Sequence, residues 1–368
     1  MKYLTVNKPE GSKEYDWADL TGDNVKVGEG YKHLVYQAGS NVQLVNMAEY
    51  CKSIITDGKE LITGNERGKI RVPELNDEKV YITFKEDVTD LSNAFLRCYA
   101  LISVPENLFA NCPNVTNFQE TFSLCTALKY IPENLFANCP EVTDFSYTFE
   151  GCTSLTSIPE NLFAHNPKVT NFKGSFMGCS ALTGIPTGLF ANNPEVTNFK
   201  GTFNGCSALE SIPAELFINN QKVTDFSFTF ALCKSLKSIP TGLFANCPKV
   251  TVFGGTFSNC RALTTIPEKL FANCPKVTDF SETFYGCWAL KSIPENFFAN
   301  NTKVTNFSYT FKNCSALTGE SPYTMIDGQK VHLYERADYP KHFTTPTDFW
   351  NCFCYCTGLT DYNQIPSD

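Results

Sequence analysis

The chain has 368 residues and no apolar run long enough to cross a membrane as a helix. It holds only four histidines, so imidazole bases for catalysis are scarce. No G-x-S-x-G elbow and no Walker loop occurs. Positive charge is in deficit, with a net charge of −8. That balance argues against a nucleic-acid backbone as the main partner, which calls for a basic face. The opening MKYLTVNKPEGSKEYDW has no basic region followed by an apolar stretch, so no signal peptide is expected there. An intracellular chain or a processed one fits that start. Charged residues make up 18% and hydrophobic residues 42%, which excludes a disordered chain.

What is present is a period. From Val88 to Lys303 one unit of 27 residues is written eight times without a gap. Two neighbours read VTNFQETFSLCTALKYIPENLFANCPE (115–141) and VTDFSYTFEGCTSLTSIPENLFAHNPK (142–168). Such a unit is one supersecondary element that buries its apolar face against the next copy, so the chain is read as a solenoid. Function is then sought on an extended surface.

Within one unit, Val142-Thr-Asp-Phe145 reads as a short strand and Phe145, Phe149 and Cys152 as one face of a helical turn. Leu155-Thr-Ser-Ile158 reads as a second strand ended by Pro159, and Glu160 to Ala164 as a second helical turn. The expected class is an α/β solenoid with short parallel strands and short helical turns. Stacking predicts three phenylalanine ladders. They run from Phe118 to Phe349, from Phe95 to Phe353 and from Phe109 to Phe298, and fill the core.

The seventeen cysteines do not read as a disulfide framework. Nine of them, Cys98 to Cys314, recur one period apart and are expected to stack as reduced, buried thiols. A second slot holds Cys112, Cys139, Cys247 and Cys274, but Asn166, Asn193, Asn220 and Asn301 in the other copies. A slot that accepts either residue has no need of a bridge.

The ends differ from the repeat. Residues 1–75 are expected to form a mostly-β N-terminal cap domain, with a hairpin in His33–Val45 and a short helix in the following MAEYCKSIITDGKELITG. Residues 76–317 hold the solenoid. Residues 318–368 hold an insertion with a hairpin around Asp327-Gly328, a last divergent repeat and a C-terminal cap.

Two surface sets are candidate binding residues. Arg261, Tyr285 and Trp288 occupy non-core slots of adjacent copies, where exposed aromatics and arginine make binding hot spots. Asn117, Asp144, Asn171, Asn198 and Asp225 form a row of amides and carboxylates that could take glycan hydroxyls or a cation, or hydrogen-bond within the chain; Val252 breaks it. Tyr147, Phe228 and Tyr309 share another variable slot. His332 and His342 lie among Tyr334, Glu335, Arg336, Asp338 and Tyr339, which reads as cap packing; His165 reads as a surface substitution. Cys352-Phe-Cys354-Tyr-Cys356 lacks the spacing of a zinc site. No catalytic residue, metal or cofactor is assigned.

The run L-x-x-I-P-x-x-L-F-x-x-x-P-x-V-T-x-F-x-x-T-F-x-x-C resembles the BspA-like leucine-rich-repeat surface proteins common in Bacteroides. Its sub-motif F-x-x-C-x-x-L-x-x-I-P appears as Phe149, Cys152, Leu155, Ile158-Pro159 and in seven further copies, the first with Val104 for Ile. The ENLFANCP-type segment lengthens each unit, so a wider coil is expected. The resemblance implies a right-handed leucine-rich-repeat superhelix, monomeric, secreted or held at the cell surface, often as a lipoprotein. It also implies a non-enzymatic adhesion protein that binds a host or bacterial surface protein or a glycan. A spacer displaying the N-terminal domain, or an undetected hydrolase, are the alternatives.

Overall fold

A computed structural model describes residues 33–56, 59–61, 68–76 and 79–366. Expectations that fall on residues 1–32 lie outside the described residues. The repeats stack coil over coil, and one isolated parallel bridge links each coil to the next from Asp90 through Asn117, Asp144 and Asn171 to Asp348. A second, sparser line of bridges joins Ser103 to Tyr130, Ser238 to Thr265 and Gly319 to Leu359. The strands of each coil are thus shorter than the sequence suggests, often a single bridged residue.

The expected helical turns do not form as helices, and among the described residues there is no α-helix. In the first turn the backbone N–H groups alternate between two destinations. Thr148, Glu150 and Cys152 donate three residues back, to Phe145, Tyr147 and Phe149. Phe145, Tyr147, Phe149 and Gly151 donate forward into the next coil, to the carbonyls of Asn171, Lys173, Ser175 and Met177 at 2.7–3.0 Å. The alternation requires left-handed residues, Tyr147 at φ 55° and Gly151 at φ 67°. The same two slots are left-handed in the other coils, for example Gly174 and Gly178, or Phe228 and Leu232. An α-helix would keep these donors within the segment. Here half of them are satisfied only when the next coil is present.

The core follows from the register. Rings of one ladder stack nearly parallel, as in Phe118–Phe145 at 5.7 Å and Phe122–Phe149 at 5.4 Å. The third ladder inserts between rings of the first at a tilt, as in Phe136–Phe145 at 4.7 Å and 56°. Such geometries add about 0.5–1.5 kcal/mol per pair beyond area burial.

Every cysteine is a free thiol. Cys152 donates its S–H to the Phe122 carbonyl one coil back, at 3.3 Å, and Cys179 repeats this onto Phe149 at 3.2 Å. The mixed slot explains its own tolerance. Asn166 Nδ2 donates to the carbonyls of Phe136 and Cys139 at 3.1 and 2.8 Å. Cys274, one of the thiols in that slot, donates to the equivalent carbonyls of Phe244 and Cys247 at 3.7 and 3.5 Å. Amide and thiol do the same job, the amide more strongly. Its cost is a buried Oδ1 without a partner in Asn166, Asn193, Asn220 and Asn301.

Before the first coil lies a five-stranded sheet of order β4-β3-β6-β1-β7. Its strands are β1 (Leu34–Tyr36), β3 (Cys51–Thr56), β4 (Lys59–Glu60), β6 (Lys79–Phe84) and β7 (Leu101–Ser103), the last within the first coil. A two-stranded sheet pairs β2 (Gly39–Val45) with β5 (Ile70–Leu75). The hairpin expected in His33–Val45 is therefore corrected. β1 pairs with β6 and β7, while β2 crosses to the other sheet. Both strands bury apolar residues, and the buried Tyr36 hydroxyl donates to the Leu44 carbonyl between them. The expected helix is a single 3-10 turn at Ala48–Tyr50, because Ser53-Ile-Ile-Thr56 is β-branched and continues as β3. The sheet meets the first coils through Phe84, whose ring lies 6.1 Å from Phe95 and 5.6 Å from Phe109. In the C-terminal insertion β8 (Tyr323–Ile326) and β9 (Gln329–His332) form the hairpin expected at Asp327-Gly328.

Replacing Asn193 by Leu removes the side-chain donor from the carbonyls of Phe163 and Asn166, each of which keeps one backbone N–H. A loss of about 1–3 kcal/mol is expected, and a smaller loss for Asn193→Cys. Thermal unfolding of the two variants measures the order. Burial also pushes the Cys98, Cys139 and Cys179 thiols up to about 12. Their folded pKa lies above the unfolded value of about 8.5, so their stabilisation is complete below that pH and is lost as pH rises toward 12. Each thiol removes up to about 1.4 kcal/mol per pH unit in that window. The unfolding midpoint should hold between pH 6 and 8 and fall steeply from pH 9 to 11. A flat alkaline profile contradicts the buried-thiol core.

Candidate functional site

The first turn of each coil projects its non-core residues as a ridge. Left-handed backbone sets the side-chain directions there. The ring of Tyr147 lies over Gly174 one coil on, where an added Cβ would meet it at 2.4 Å; Phe228 covers Gly255 in the same way at 2.3 Å. At these two coils the ring lies where only glycine leaves room; Tyr309, followed by Asn351, turns its ring to Trp350 instead.

Arg261 and Trp288 occupy one slot of adjacent coils, and the guanidinium sits 4.2 Å from the indole centroid. Both are exposed, Trp288 by 48%. The following coil places only the small Ser315 in that slot. The Trp288 pair is thus a flat apolar platform flanked by a fixed cation. Tyr285 is half-buried on the same coil, and among the described residues no ring or cation contact joins it to either partner. The pair is brought together; the third member is a neighbour.

The row Asn117, Asp144, Asn171, Asn198 and Asp225 lies along the bridge line. Each Oδ1 accepts the backbone N–H two residues on, at 2.6–3.0 Å. Asn171 also donates Nδ2 to Asp144 Oδ2 at 3.0 Å. These side chains close their own turns, and half of their acceptor capacity is used inside the protein.

A second aromatic–cation group was not legible as one. Lys312 Nζ lies 4.9 Å from the Tyr309 ring centroid, and Tyr309 meets Trp350 edge-on at 5.3 Å. Trp350 is 54% exposed. Tyr309 was visible as a variable slot, but Trp350 follows the insertion, at an offset of 42 residues rather than 27, so its place beside Tyr309 was hidden.

The C-terminal insertion holds the main buried charge. Arg336 sits in the 3-10 segment Leu333–Asp338, is 2% exposed, and donates to the carbonyls of Asn301 (3.0 Å) and Phe298 (2.8 Å). These are the carbonyls that the next coil's Asn or Cys would take. Asn301 itself does this to Phe271 and Cys274. The guanidinium therefore stands in for the missing amide, with Phe343 at 4.3 Å and Phe307 at 5.4 Å. Burial pulls its pKa down to about 9, which leaves it protonated at neutral pH. Sequence reading had grouped Arg336 with cap packing without its partners; a lone arginine one broken period after the last slot was the available signal.

His332, nearby, places Nδ1 3.2 Å from Glu335 and Nε2 3.1 Å from Glu320, and its ring stacks on Tyr334. His342 is exposed in this segment, as His165 is in the third coil. Cys352 and Cys356 are buried in the last coil while Cys354 is half-exposed, so the three thiols do not converge. Among the described residues no group of three His, Cys, Asp or Glu could hold a metal ion. A cavity of about 470 Å³ lies at the last coil, lined by Phe349, Trp350, Phe353, Tyr362 and Ile365 among others, with no carboxylate, histidine, lysine or arginine in its wall. No described helix is long and apolar enough to cross a membrane.

The family model of the BspA type leucine rich repeat region matches residues 81–224 and 210–321, with six copies. No curated protein matches the chain. Among solved structures the chain is similar to a leucine rich cell surface protein from Faecalibacterium prausnitzii A2-165, at 22% identity and TM-score 0.34, covering 77% of this chain and 80% of that one. It is also similar to a chain of the Drosophila Toll–Spatzle complex, at 18% identity and TM-score 0.29, covering 70% of this chain. It spans only 41% of the length of that chain.

Arg336→Ala removes the side-chain donor from the carbonyls of Phe298 and Asn301, of which Phe298 keeps the Asn301 N–H, and removes the contact with Phe343. A loss of about 2–4 kcal/mol is expected, with Arg336→Lys recovering part of it. Proteolysis of the folded protein, followed by mass spectrometry, should find the variant opening first within 295–345.

Proposed function

We propose, from the premise that this chain belongs to the BspA type leucine-rich-repeat family, that it is a non-enzymatic binding protein of the cell surface or secreted space. It engages a surface protein or glycan through the ridge of the solenoid, with the N-terminal sheet serving as the cap of the coil stack. The observation that carries this reading is the exposed Arg261–Trp288 pair at 4.2 Å. Burial elsewhere in the coil is explained by packing, and every core slot is filled from copy to copy by the same few residue types. An exposed indole with a cation fixed on one face has no such explanation, and it is the type of residue pair in which binding energy concentrates. Lys312, Tyr309 and Trp350 extend the same chemistry toward the last coil. The Asn/Asp row joins the site only through the lone pairs its turns leave over.

The test is binding of the labelled full-length chain to epithelial and bacterial cells, read by flow cytometry. Trp288→Ala and Arg261→Ala should each weaken binding by about 1–2 kcal/mol, about five- to thirtyfold, with the unfolding midpoint unchanged. Cell binding at wild-type strength in the double variant makes the solenoid a spacer and removes the ridge as the binding site.

A further inference from the structure

The solenoid is electrically divided. Its first four repeats, 88–195, carry four basic and nine acidic residues, a net −5; the last four, 196–303, carry ten basic and seven acidic, a net +3. The division is sharpest in the last slot of the repeat, which reads Asn114, Glu141, Lys168, Glu195, Lys222, Lys249, Lys276, Lys303. From Glu141 to Lys222 the slot is self-neutralising. Lys168 pairs with Glu141 at 2.5 Å, and Lys222 with Glu195 at 2.5 Å, each across one coil. Those contacts prove that side chains in this slot reach their neighbours in the adjacent coil. Lys249, Lys276 and Lys303 therefore stand within reach of one another. All three are exposed, and among the described residues none has an ion pair. The register is unbroken here, since Thr251, Thr278 and Thr305 each donate one coil back at 2.9 Å. Three like charges in line repel one another, so nothing in the fold rewards the row.

We propose that Lys249, Lys276 and Lys303 form a docking stripe for an anionic polysaccharide, a linear chain carrying carboxylate or sulfate groups at intervals. The stripe lies in a different slot from Arg261 and Trp288 and stands independently of the ridge. Charge complementarity calls for a polyanion, and the surroundings select among polyanions. Beside the lysines run exposed Asn246, Asn273 and Asn300, whose amides bond back to the carbonyls of Ile218, Ala245 and Ala272. The slot that neighbours these asparagines holds one exposed large apolar residue, Ile218, and alanine in the coils that follow. An acidic protein would need apolar anchors at the centre of its footprint. A single-stranded nucleic acid would need aromatic platforms for its bases. A polysaccharide needs neither; it asks for regularly spaced cations with hydrogen-bonding side chains between them. An open groove of about 680 Å³ follows the same corner past Pro194 and Pro248 to Lys249, with Glu195 in its wall neutralised by Lys222.

The test uses the full chain, with heparin as the sulfated probe, polygalacturonate as the carboxylate probe and dextran as the neutral one, in titration calorimetry at several salt concentrations. Heparin or polygalacturonate should bind and dextran should not. The triple variant Lys249→Glu, Lys276→Glu, Lys303→Glu should lose affinity by about tenfold or more and show a shallower salt dependence. The triple variant Lys129→Glu, Lys173→Glu, Lys200→Glu carries the same change in net charge and should keep wild-type affinity. Equal thermal midpoints show that each variant is folded, and Lys→Gln at the three stripe positions replaces the charge reversals if they are not. Equal losses in both triple variants would reduce the effect to net charge and overturn the proposal. So would absence of binding to either acidic probe, or binding to polyglutamate or single-stranded DNA in their place.

Discussion

The structure depends on backbone donors that no single coil can satisfy. In each repeat the N–H groups of four residues, such as Phe145, Tyr147, Phe149 and Gly151, reach forward to carbonyls of the next coil. An unpaired buried donor costs about 1–3 kcal/mol, so a coil without its neighbour is unfavourable before any side chain is counted. The 27-residue period is the consequence. A unit one residue longer or shorter would carry every donor past its acceptor and every phenylalanine off its stack. The phenylalanine ladders, the cysteine column and the Thr-to-Thr bonds are all read out from that one register.

The same constraint explains what was legible in advance. Period, core slots and thiol columns are properties of identical residues at identical spacing, and stacking converts spacing into contact without further knowledge. The conformation of the turn is different. Phe145, Phe149 and Cys152 are spaced as on one face of a helix, and they are equally well placed by a backbone that turns left-handed at Tyr147 and Gly151. Hydrophobic spacing alone does not separate the two. The discriminating signal was glycine, at 151, 174, 178, 201 and 205, in slots where a helix gains nothing from it. Left-handed Leu124, Tyr147 and Phe228 hid the pattern by filling the same slots with residues that rarely take that conformation. The N-terminal strands failed for another reason. β1 and β2 are adjacent in sequence and pair with strands further along the chain, a long-range choice that local turn chemistry does not report.

The two ends of the coil stack solve one problem with different materials. Each leaves a coil with unmet backbone groups. At the N-terminal side, β1 pairs with β7 of the first coil, and Asn46 and Gln43 bond to the carbonyls of Ala94 and Leu96. At the insertion, where the chain leaves the rhythm after Leu317, Arg336 supplies both donors to Phe298 and Asn301. A guanidinium presents coplanar N–H groups on Nη1 and Nη2 that reach the same two carbonyls a carboxamide reaches from its single Nδ2 one coil earlier, so it serves a position otherwise held by asparagine. Its burial without a carboxylate is tolerated because two carbonyls and two aromatic faces share the charge.

Because packing and register claim the core slots, distinctions between coils are confined to the few slots that face water. There the copies diverge. One slot carries Tyr147, Phe228 or Tyr309 against asparagine, glutamate or glycine elsewhere; another runs from Tyr99 through threonine and serine to Lys234, Arg261 and Trp288 and back to Ser315; a third passes from alternating glutamate and lysine to lysine alone. Divergence that is random should scatter charges of both signs along each slot. Instead the third slot holds Glu141, Lys168, Glu195 and Lys222, which pair across coils, and then Lys249, Lys276 and Lys303, which have no ion pair among the described residues. Cations outnumber carboxylates ten to seven in the last four repeats, against four to nine in the first four. A row of cations that the fold does not neutralise points its charge at water.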